Sequence, residues 1–261
     1  LFNWYLANAK DFDVQVTDPN VWVSQIQGPK SMKFLESLID DKLPDPWNYF
    51  DMGKVIIAGE EVIISRTGFS NELGWEIYLT PKNDTLKIGK KLWEIGKNFD
   101  LRLTGTPVFR ARRIEAGLLS AGRDFNRHTN PFEVGLGKFM DMNKGNFIGR
   151  ESLLGVDKST KVTGMRVLNG IAKTGKSIFL EDQLIGEVTS SSWSPYQECG
   201  VSIIKFYEAN RFEGLVLNVL DAQNKKLKGY TCELPMYDEK GEIVRGIETK
   251  IPSKPNSWKP S

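Results

Sequence analysis

The chain has 261 residues, of which 40% are hydrophobic, and this is enough to bury the core of one large domain or of two smaller ones. Its 35 basic and 33 acidic residues leave a formal charge of only +2, which gives no general electrostatic basis for binding nucleic acid or an anionic membrane. No segment approaches the roughly 18 consecutive apolar residues of a membrane span. We therefore expect a soluble, cytoplasmic protein.

The cysteines and the single histidine argue against a metal centre. Cys199 and Cys232 lie far apart and lack the spacing of a zinc or redox motif. His128 is the only histidine and stands in a polar loop. We predict two reduced thiols and no metal site.

The first hundred residues predict an antiparallel sheet covered by two helices. The apolar run 55–64 predicts a hairpin that turns at Gly59–Glu60. One helix is predicted after Gly28–Ser31, where proline is close to a helix start. A second is predicted to begin at Asn83–Asp84, which are good capping residues.

The segment Arg66–Tyr78 places one carboxylate inside an otherwise apolar strand. If Trp75 and Ile77 point into a core, strand alternation sends Glu76 and Tyr78 to the opposite face. A carboxylate there either meets solvent or has matched donors, because burying an unpaired ion costs several kcal/mol. A planar heterocycle with amino and imino groups would supply such donors.

A third helix is predicted from Thr106–Pro107, with threonine as a possible cap, to a stop near Gly122. Arg110, Arg112 and Arg113 crowd its early turns. They are either solvated arginines, with Arg112 paired to Glu115, or they face an anion. The anion interpretation is preferred only for Arg113.

After about residue 156 the pattern changes to short strands separated by turn residues, which predicts a small β-barrel or sandwich. The predicted strands are 162–168, 177–180, 184–189, 201–206, 215–220 and 228–234.

Several segments, read in order, resemble the glycine-cleavage T-protein family of tetrahydrofolate-dependent enzymes. The matching segments are Gln27–Pro29, Arg66–Tyr78, Arg113–Leu118, Asn130–Gly137, Phe147–Glu151 and Ser192–Pro195. The resemblance implies an α+β, multidomain folate-binding fold with antiparallel sheets covered by helices, followed by a C-terminal all-β barrel or sandwich. It implies four parts: a remnant of the second folate-binding domain (1–20), the first folate-binding domain (21–110), a continuation of the second (111–155) and the barrel (156–261).

The resemblance also implies the residues that contact tetrahydrofolate. Glu76 stands where the family's glutamate binds the pterin ring, and a carboxylate accepting two donors from an aminopyrimidine edge would fix its orientation. Phe69 stands where the family usually has tyrosine, so only ring packing remains. The other implied cofactor-binding residues are Arg66, Arg113, Trp193 and Tyr196.

Differences from the usual T-protein pattern leave three functions open. Phe109 and Arg110 replace an arginine and an aspartate. Four other segments resemble dimethylsulfoniopropionate demethylases: Gly68–Ser70, Leu118–Ser120, Asp124–Phe125 and Asn130–Glu133. The preferred expectation is a methyltransferase that demethylates a small donor such as dimethylsulfoniopropionate and forms 5-methyl-tetrahydrofolate. The alternatives are aminomethyl transfer, which forms 5,10-methylene-tetrahydrofolate and needs a lipoyl carrier protein, and folate binding without catalysis.

Methyl transfer from a sulfonium requires mainly alignment and exclusion of water. Trp75 is a candidate cation–π face for such a donor, as are Trp193 and Tyr196. Members of the family begin roughly a hundred residues earlier, and their total length of roughly 350–400 residues is usual for a multidomain chain. We therefore expect an N-terminally truncated chain whose catalytic acidic residue lies upstream of Leu1.

Overall fold

The computed structural model describes residues 1–209, 214–248 and 258–260. They form two compact units. Unit 1 comprises residues 1–68 and 72–102, and unit 2 comprises residues 69–71 and 103–261. The finer division at residues 20, 110 and 155 stays a prediction. No helix of the described residues is long and apolar enough to cross a membrane.

Unit 1 contains three α-helices and one four-stranded sheet. In chain order its elements are α1 (Phe2–Asn8), β1 (Trp22–Gln27), α2 (Ser31–Leu38), β2 (Met52–Ile57), β3 (Glu60–Ser65), β4 (Gly74–Leu79) and α3 (Thr85–Gly96). The strand order is β1-β4-β3-β2, and every neighbouring pair is antiparallel. The predicted hairpin is confirmed as β2–β3, and its turn lies at residues 58–59, one residue earlier than the predicted Gly59–Glu60, because Glu60 already pairs with Ile57.

One face of this sheet is the core of unit 1. Ile64 and Ile77 point to this face and are buried with Leu35 of α2 and Ile88 of α3. The cap predicted for α3 is confirmed, because the Asp84 carboxylate accepts a hydrogen bond from the backbone N–H of Lys87 at 3.0 Å. Helix α1 has no buried residue, and no sequence pattern predicted it.

Unit 2 begins with α4 (Thr106–Glu115), which is shorter than predicted. Gly117 adopts φ +69° and the N–H of Leu118 bonds back to the Arg113 carbonyl at 2.8 Å, so the helix ends well before Gly122. Thr106 does not cap it. The capping position is Gly105, and Thr106 and Pro107 occupy the first turn. A short helix, α5 (Arg150–Leu154), was not predicted.

The six strands in the described part of unit 2 form a closed antiparallel barrel, which was one of the two predicted architectures. Its strands are β5 (Val162–Val167), β6 (Ser177–Leu180), β7 (Gln183–Ser194), β8 (Cys199–Phe206), β9 (Val216–Leu220) and β10 (Lys226–Cys232), in the order β10-β5-β8-β7-β6-β9. Met165, Ile178 and Ile204 belong to a fully buried cluster of barrel residues. Ile114 of α4 packs with Val201 of β8 in a second buried cluster. The fold class is therefore confirmed as α+β with a C-terminal barrel.

Two fully buried serines on neighbouring barrel strands provide a matched test of hydroxyl burial. Ser194 donates to Glu115 and accepts from the backbone N–H of Gln197 at 2.8 Å, whereas the Ser202 hydroxyl has no partner in the described part of the chain. We expect Ser202→Ala to leave the free energy of unfolding unchanged or raise it by up to about 1 kcal/mol, because an unsatisfied hydroxyl is removed. We expect Ser194→Ala to lower it by about 1–3 kcal/mol.

Urea unfolding of the two variants checks this expectation. Equal losses of stability in Ser194→Ala and Ser202→Ala would contradict it.

Candidate functional site

Glu76 lies in the middle of β4, on the sheet face opposite the core. Its neighbours Trp75 and Ile77 are fully buried, whereas Glu76 and Tyr78 are half-buried on the other face. This confirms the alternation predicted for the strand. The carboxylate is therefore accessible without lying in bulk solvent.

The charge of Glu76 is matched by donors on both of its oxygens. Gln25 lies directly opposite on β1, and its Nε2 donates to Oε1 at 2.7 Å. The Thr67 hydroxyl donates to Oε2. A carboxylate has about four acceptor positions. The Tyr78 hydroxyl also donates to Oε2, at 3.5 Å. These three bonds orient Glu76 and leave one acceptor position on Oε1, and a ligand N–H would reach Oε2 by replacing the long Tyr78 bond.

Tyr49 is a second aromatic group near this carboxylate, besides Tyr78. Burial raises the pKa of the Tyr49 phenol, and the negative charge of Glu76 raises it further. Tyr49 lies on the irregular segment before β2, where the sequence has no periodic pattern, and it was not among the predicted site residues. Gln25 and Thr67 were also missed, because the role of Gln25 depends on strand register and that of Thr67 on the conformation of the loop after β3.

Two glycines next to the site make room for the Gln27 side chain. A Cβ atom at Gly68 would lie 2.1 Å from Oε1 of Gln27, and one at Gly74 would lie 2.3 Å from its Nε2. Nε2 of Gln27 donates to the Thr67 carbonyl at 3.3 Å. The two glycines, which flank the loop before β4, therefore allow Gln27 to bond to Thr67, the residue that donates to Glu76.

Both arginines predicted to bind the cofactor are buried and donate to protein acceptors. Nη1 of Arg66 donates to the Trp47 carbonyl at 2.6 Å. Arg113 donates to Asp124 at 2.8 Å and to Ser190 at 2.7 Å. These contacts give each guanidinium a structural role, and a cofactor contact at either residue stays a prediction.

The predicted aromatic residues differ in accessibility. Trp75 is completely buried and packs edge to face on Trp47 at 5.3 Å, so its ring presents no face to a substrate. This corrects the expectation of a cation–π contact at Trp75. In unit 2, Phe69 is 37% exposed and Trp193, near the end of β7, is 40% exposed, so both rings are available to a ligand.

Tyr196 belongs to a packed cluster in unit 2. It lies edge to face on Tyr237 with ring centroids 4.9 Å apart. Cζ of Arg112 lies 5.2 Å from the Tyr196 centroid and 4.3 Å from that of Tyr237. Arg112 also pairs with the buried Glu115, as predicted, but it is shielded by these rings instead of being solvated.

The family model and the curated relatives that match this chain point to the same family. A family model described as the GCVT N-terminal domain matches residues 1–144. An aminomethyltransferase of Thermotoga maritima is 36% identical over 256 residues, which is 94% of this chain and 67% of the relative. An aminomethyltransferase of Caldanaerobacter subterraneus subsp. tengcongensis is 32% identical over 247 residues, which is 90% of this chain and 64% of the relative.

A solved structure has the same fold. The crystal structure of glycine cleavage system aminomethyltransferase T from Bartonella henselae matches with a TM-score of 0.80 over 91% of this chain and 65% of that chain, at 22% identity. The chain thus spans 64–67% of the length of the two curated relatives described above.

Proposed function

Because this chain belongs to the GCVT (aminomethyltransferase) family, we propose that it transfers a one-carbon unit to tetrahydrofolate, and that the unit is an aminomethyl group. The relatives described as aminomethyltransferases support this function, which was the first alternative among the expectations from the sequence. They do not specifically favour dimethylsulfoniopropionate demethylation, which was the preferred expectation.

The observation that carries the proposal is the setting of Glu76. A half-buried carboxylate, oriented by Gln25 and Thr67 and with an acceptor position remaining, is suited to the amino and imino groups of a pterin. Val23 and Ile63 lie directly across from Tyr78 on the two neighbouring strands and are partly exposed, so they add apolar surface for a planar ring. The residues of this face therefore fit the aminopyrimidine end of tetrahydrofolate.

Tetrahydrofolate would supply the nitrogen that accepts the one-carbon unit. The protein's part in this proposal is to fix the pterin and to exclude water from it. Gln25 and Thr67 hold the Glu76 carboxylate in one orientation, so it would accept two hydrogen bonds from the ligand by giving up only the long bond from the Tyr78 hydroxyl. Aminomethyl transfer further implies a lipoyl carrier protein as the partner that delivers the donor.

A methyl group from a small sulfonium donor is the second candidate for the transferred unit. Phe69 supports it, because this partly exposed ring stands where the T-protein pattern has tyrosine and lacks the hydroxyl. Sulfonium demethylation has a neutral leaving group and needs no acid–base residue. Aminomethyl transfer must instead release ammonia and a thiol.

Product analysis tests the choice. The full chain is incubated with tetrahydrofolate and either aminomethylated lipoyl carrier protein or dimethylsulfoniopropionate, and the folate products are separated. We expect 5,10-methylene-tetrahydrofolate and ammonia with the carrier protein, and no product when the carrier is omitted. Formation of 5-methyl-tetrahydrofolate from the sulfonium would establish the second candidate. Folate binding without either product would indicate a non-catalytic protein and contradict both.

A further inference from the structure

All the described contacts of Arg66 go to one short segment of unit 1, residues 47–51, here called the 47–51 loop. The Arg66 guanidinium donates to the Trp47 carbonyl at 2.6 Å. Its backbone N–H donates to the Asp51 carbonyl at 2.9 Å, and its carbonyl accepts from the N–H of Phe50 at 3.0 Å. Arg66 thus holds both ends of the loop.

The loop is also braced from within. The Asp51 carboxylate accepts from the backbone N–H of Asn48 at 2.6 Å and from its side-chain amide at 3.0 Å. The Trp47 indole N–H donates to the Asp51 carbonyl at 3.0 Å, and the indole ring packs on Trp75 in the core. Trp47, the first residue of the loop, is therefore anchored on the core face of the sheet.

The other end of the loop leads to the Glu76 face. Asp51 is followed by Met52, which pairs with Ser65, and Ser65 pairs with Glu76, so these three residues form one row across the sheet. In the sequence, Tyr49 lies between Trp47, which packs on the core, and Met52 of this row. The Tyr49 phenol is half-buried. Burial is the larger cause that raises its pKa, and the negative charge of Glu76 raises the pKa further.

The cost of burying Arg66 also needs an explanation. Removing a guanidinium from water costs several kcal/mol unless it is well paired. Arg66 is 7% exposed, its described side-chain acceptor is a neutral carbonyl, and its Nε has no acceptor among the described residues. Burial accordingly lowers its pKa, and the charge of Asp51 opposes that shift. An arginine at this buried position is explained if its long side chain is needed to bond to the Trp47 carbonyl and so hold the loop.

We propose that Arg66 is a positioning residue, which acts by clamping the 47–51 loop so that Tyr49 forms a wall beside Glu76, and that it does not contact the ligand. The identity of the ligand rests on the proposed function, whereas the clamp itself is a property of the ligand-free chain. The competing explanation is a direct contact of the ligand with Nε of Arg66.

The test measures the loop and the ligand separately in the full chain. Tyrosine labelled with ¹³C at Cζ reports the titration of Tyr49 without ligand, and Tyr49→Phe assigns the signal. Arg66→Met should shift the Tyr49 pKa toward the ordinary tyrosine value of about 10. It should also weaken tetrahydrofolate binding about tenfold through lost preorganisation. Arg66→Lys retains one donor and should restore part of both effects.

Lys54→Met is the matched control, because Lys54 is an exposed cation on the neighbouring strand β2 and pairs with Glu61 at 2.7 Å. We expect it to change neither the Tyr49 titration nor the affinity. Thermal unfolding shows whether each variant is folded, and Arg66→Lys serves as the test if Arg66→Met does not fold.

Three results would overturn the proposal. Weaker folate binding with an unchanged Tyr49 titration would mean that Arg66 touches the ligand. An unchanged titration and affinity would mean that the clamp has no role. A shifted titration with unchanged affinity would mean that Tyr49 does not shape the site. If Glu76→Gln also leaves folate affinity unchanged, the proposed function fails, and the titration still reports on the clamp.

Discussion

Replacing Glu76 with glutamine should weaken the binding of tetrahydrofolate to the full chain by about 2 kcal/mol, or roughly 30-fold. The amide is nearly the same size and keeps an oxygen that accepts from Gln25, so the fold should be retained. It loses the negative charge, and its NH₂ group replaces one of the two oxygens that would accept from the pterin. Anaerobic isothermal titration calorimetry measures the difference directly.

Glu61→Gln is the matched control for this experiment. Glu61 is a carboxylate on the same sheet face, but it is exposed and pairs with Lys54. This variant should bind tetrahydrofolate with the affinity of the original chain. Undiminished affinity in Glu76→Gln would remove the basis of the proposed function, whereas equal losses in both variants would point to a general effect of charge on this face.

The second large effect is expected on stability, at the ion pair between Arg113 and Asp124 in unit 2. Asp124 is almost completely buried and also accepts from Thr189 at 2.7 Å, from Ser190 at 2.6 Å and from the N–H of Ser120 at 2.8 Å. Asp124→Ala removes the counter-charge of a buried arginine and leaves these donors short of an acceptor. We expect the free energy of unfolding to fall by about 3–5 kcal/mol.

Urea unfolding followed by far-UV circular dichroism measures this loss. Glu151→Ala is the control in the same unit. Glu151 is largely exposed, and its Oε1 forms an ion pair with Nη1 of Arg150 at 3.8 Å. An exposed pair contributes at most about 1 kcal/mol. Similar stability of the Asp124→Ala and Glu151→Ala variants would show that the buried network does not stabilise the barrel unit.

Local signals predicted the elements of this protein well. The cap at Asp84, the β2–β3 hairpin and the alternation around Glu76 each depend on interactions between residues close in sequence. The barrel strands were found for the same reason. The end of α4 was misplaced because either Gly117 or Gly122 is compatible with the pattern, and the packing of the chain beyond the helix decides which glycine ends it.

The candidate site was only half predictable. Glu76 follows from its strand, but its partner Gln25 is 51 residues away and is identified only when the register of β1 on β4 is known. Tyr49 depends on a loop without periodicity, and the burial of Arg66 depends on the position of Trp47. These long-range relations lie outside what residue spacing determines.

The close packing of Gln27 on Gly68 and Gly74 limits how the site can evolve. A methyl group at either glycine would need the space that the Gln27 amide occupies, and that amide supports Thr67, which in turn holds Glu76. A side chain at either position would therefore displace the Gln27 amide and remove its hydrogen bond to the Thr67 carbonyl. Directed evolution of this face should accordingly vary residue 27 together with residue 68 or 74. A change at one glycine alone would displace the amide that supports Thr67 and so weaken the orientation of Glu76.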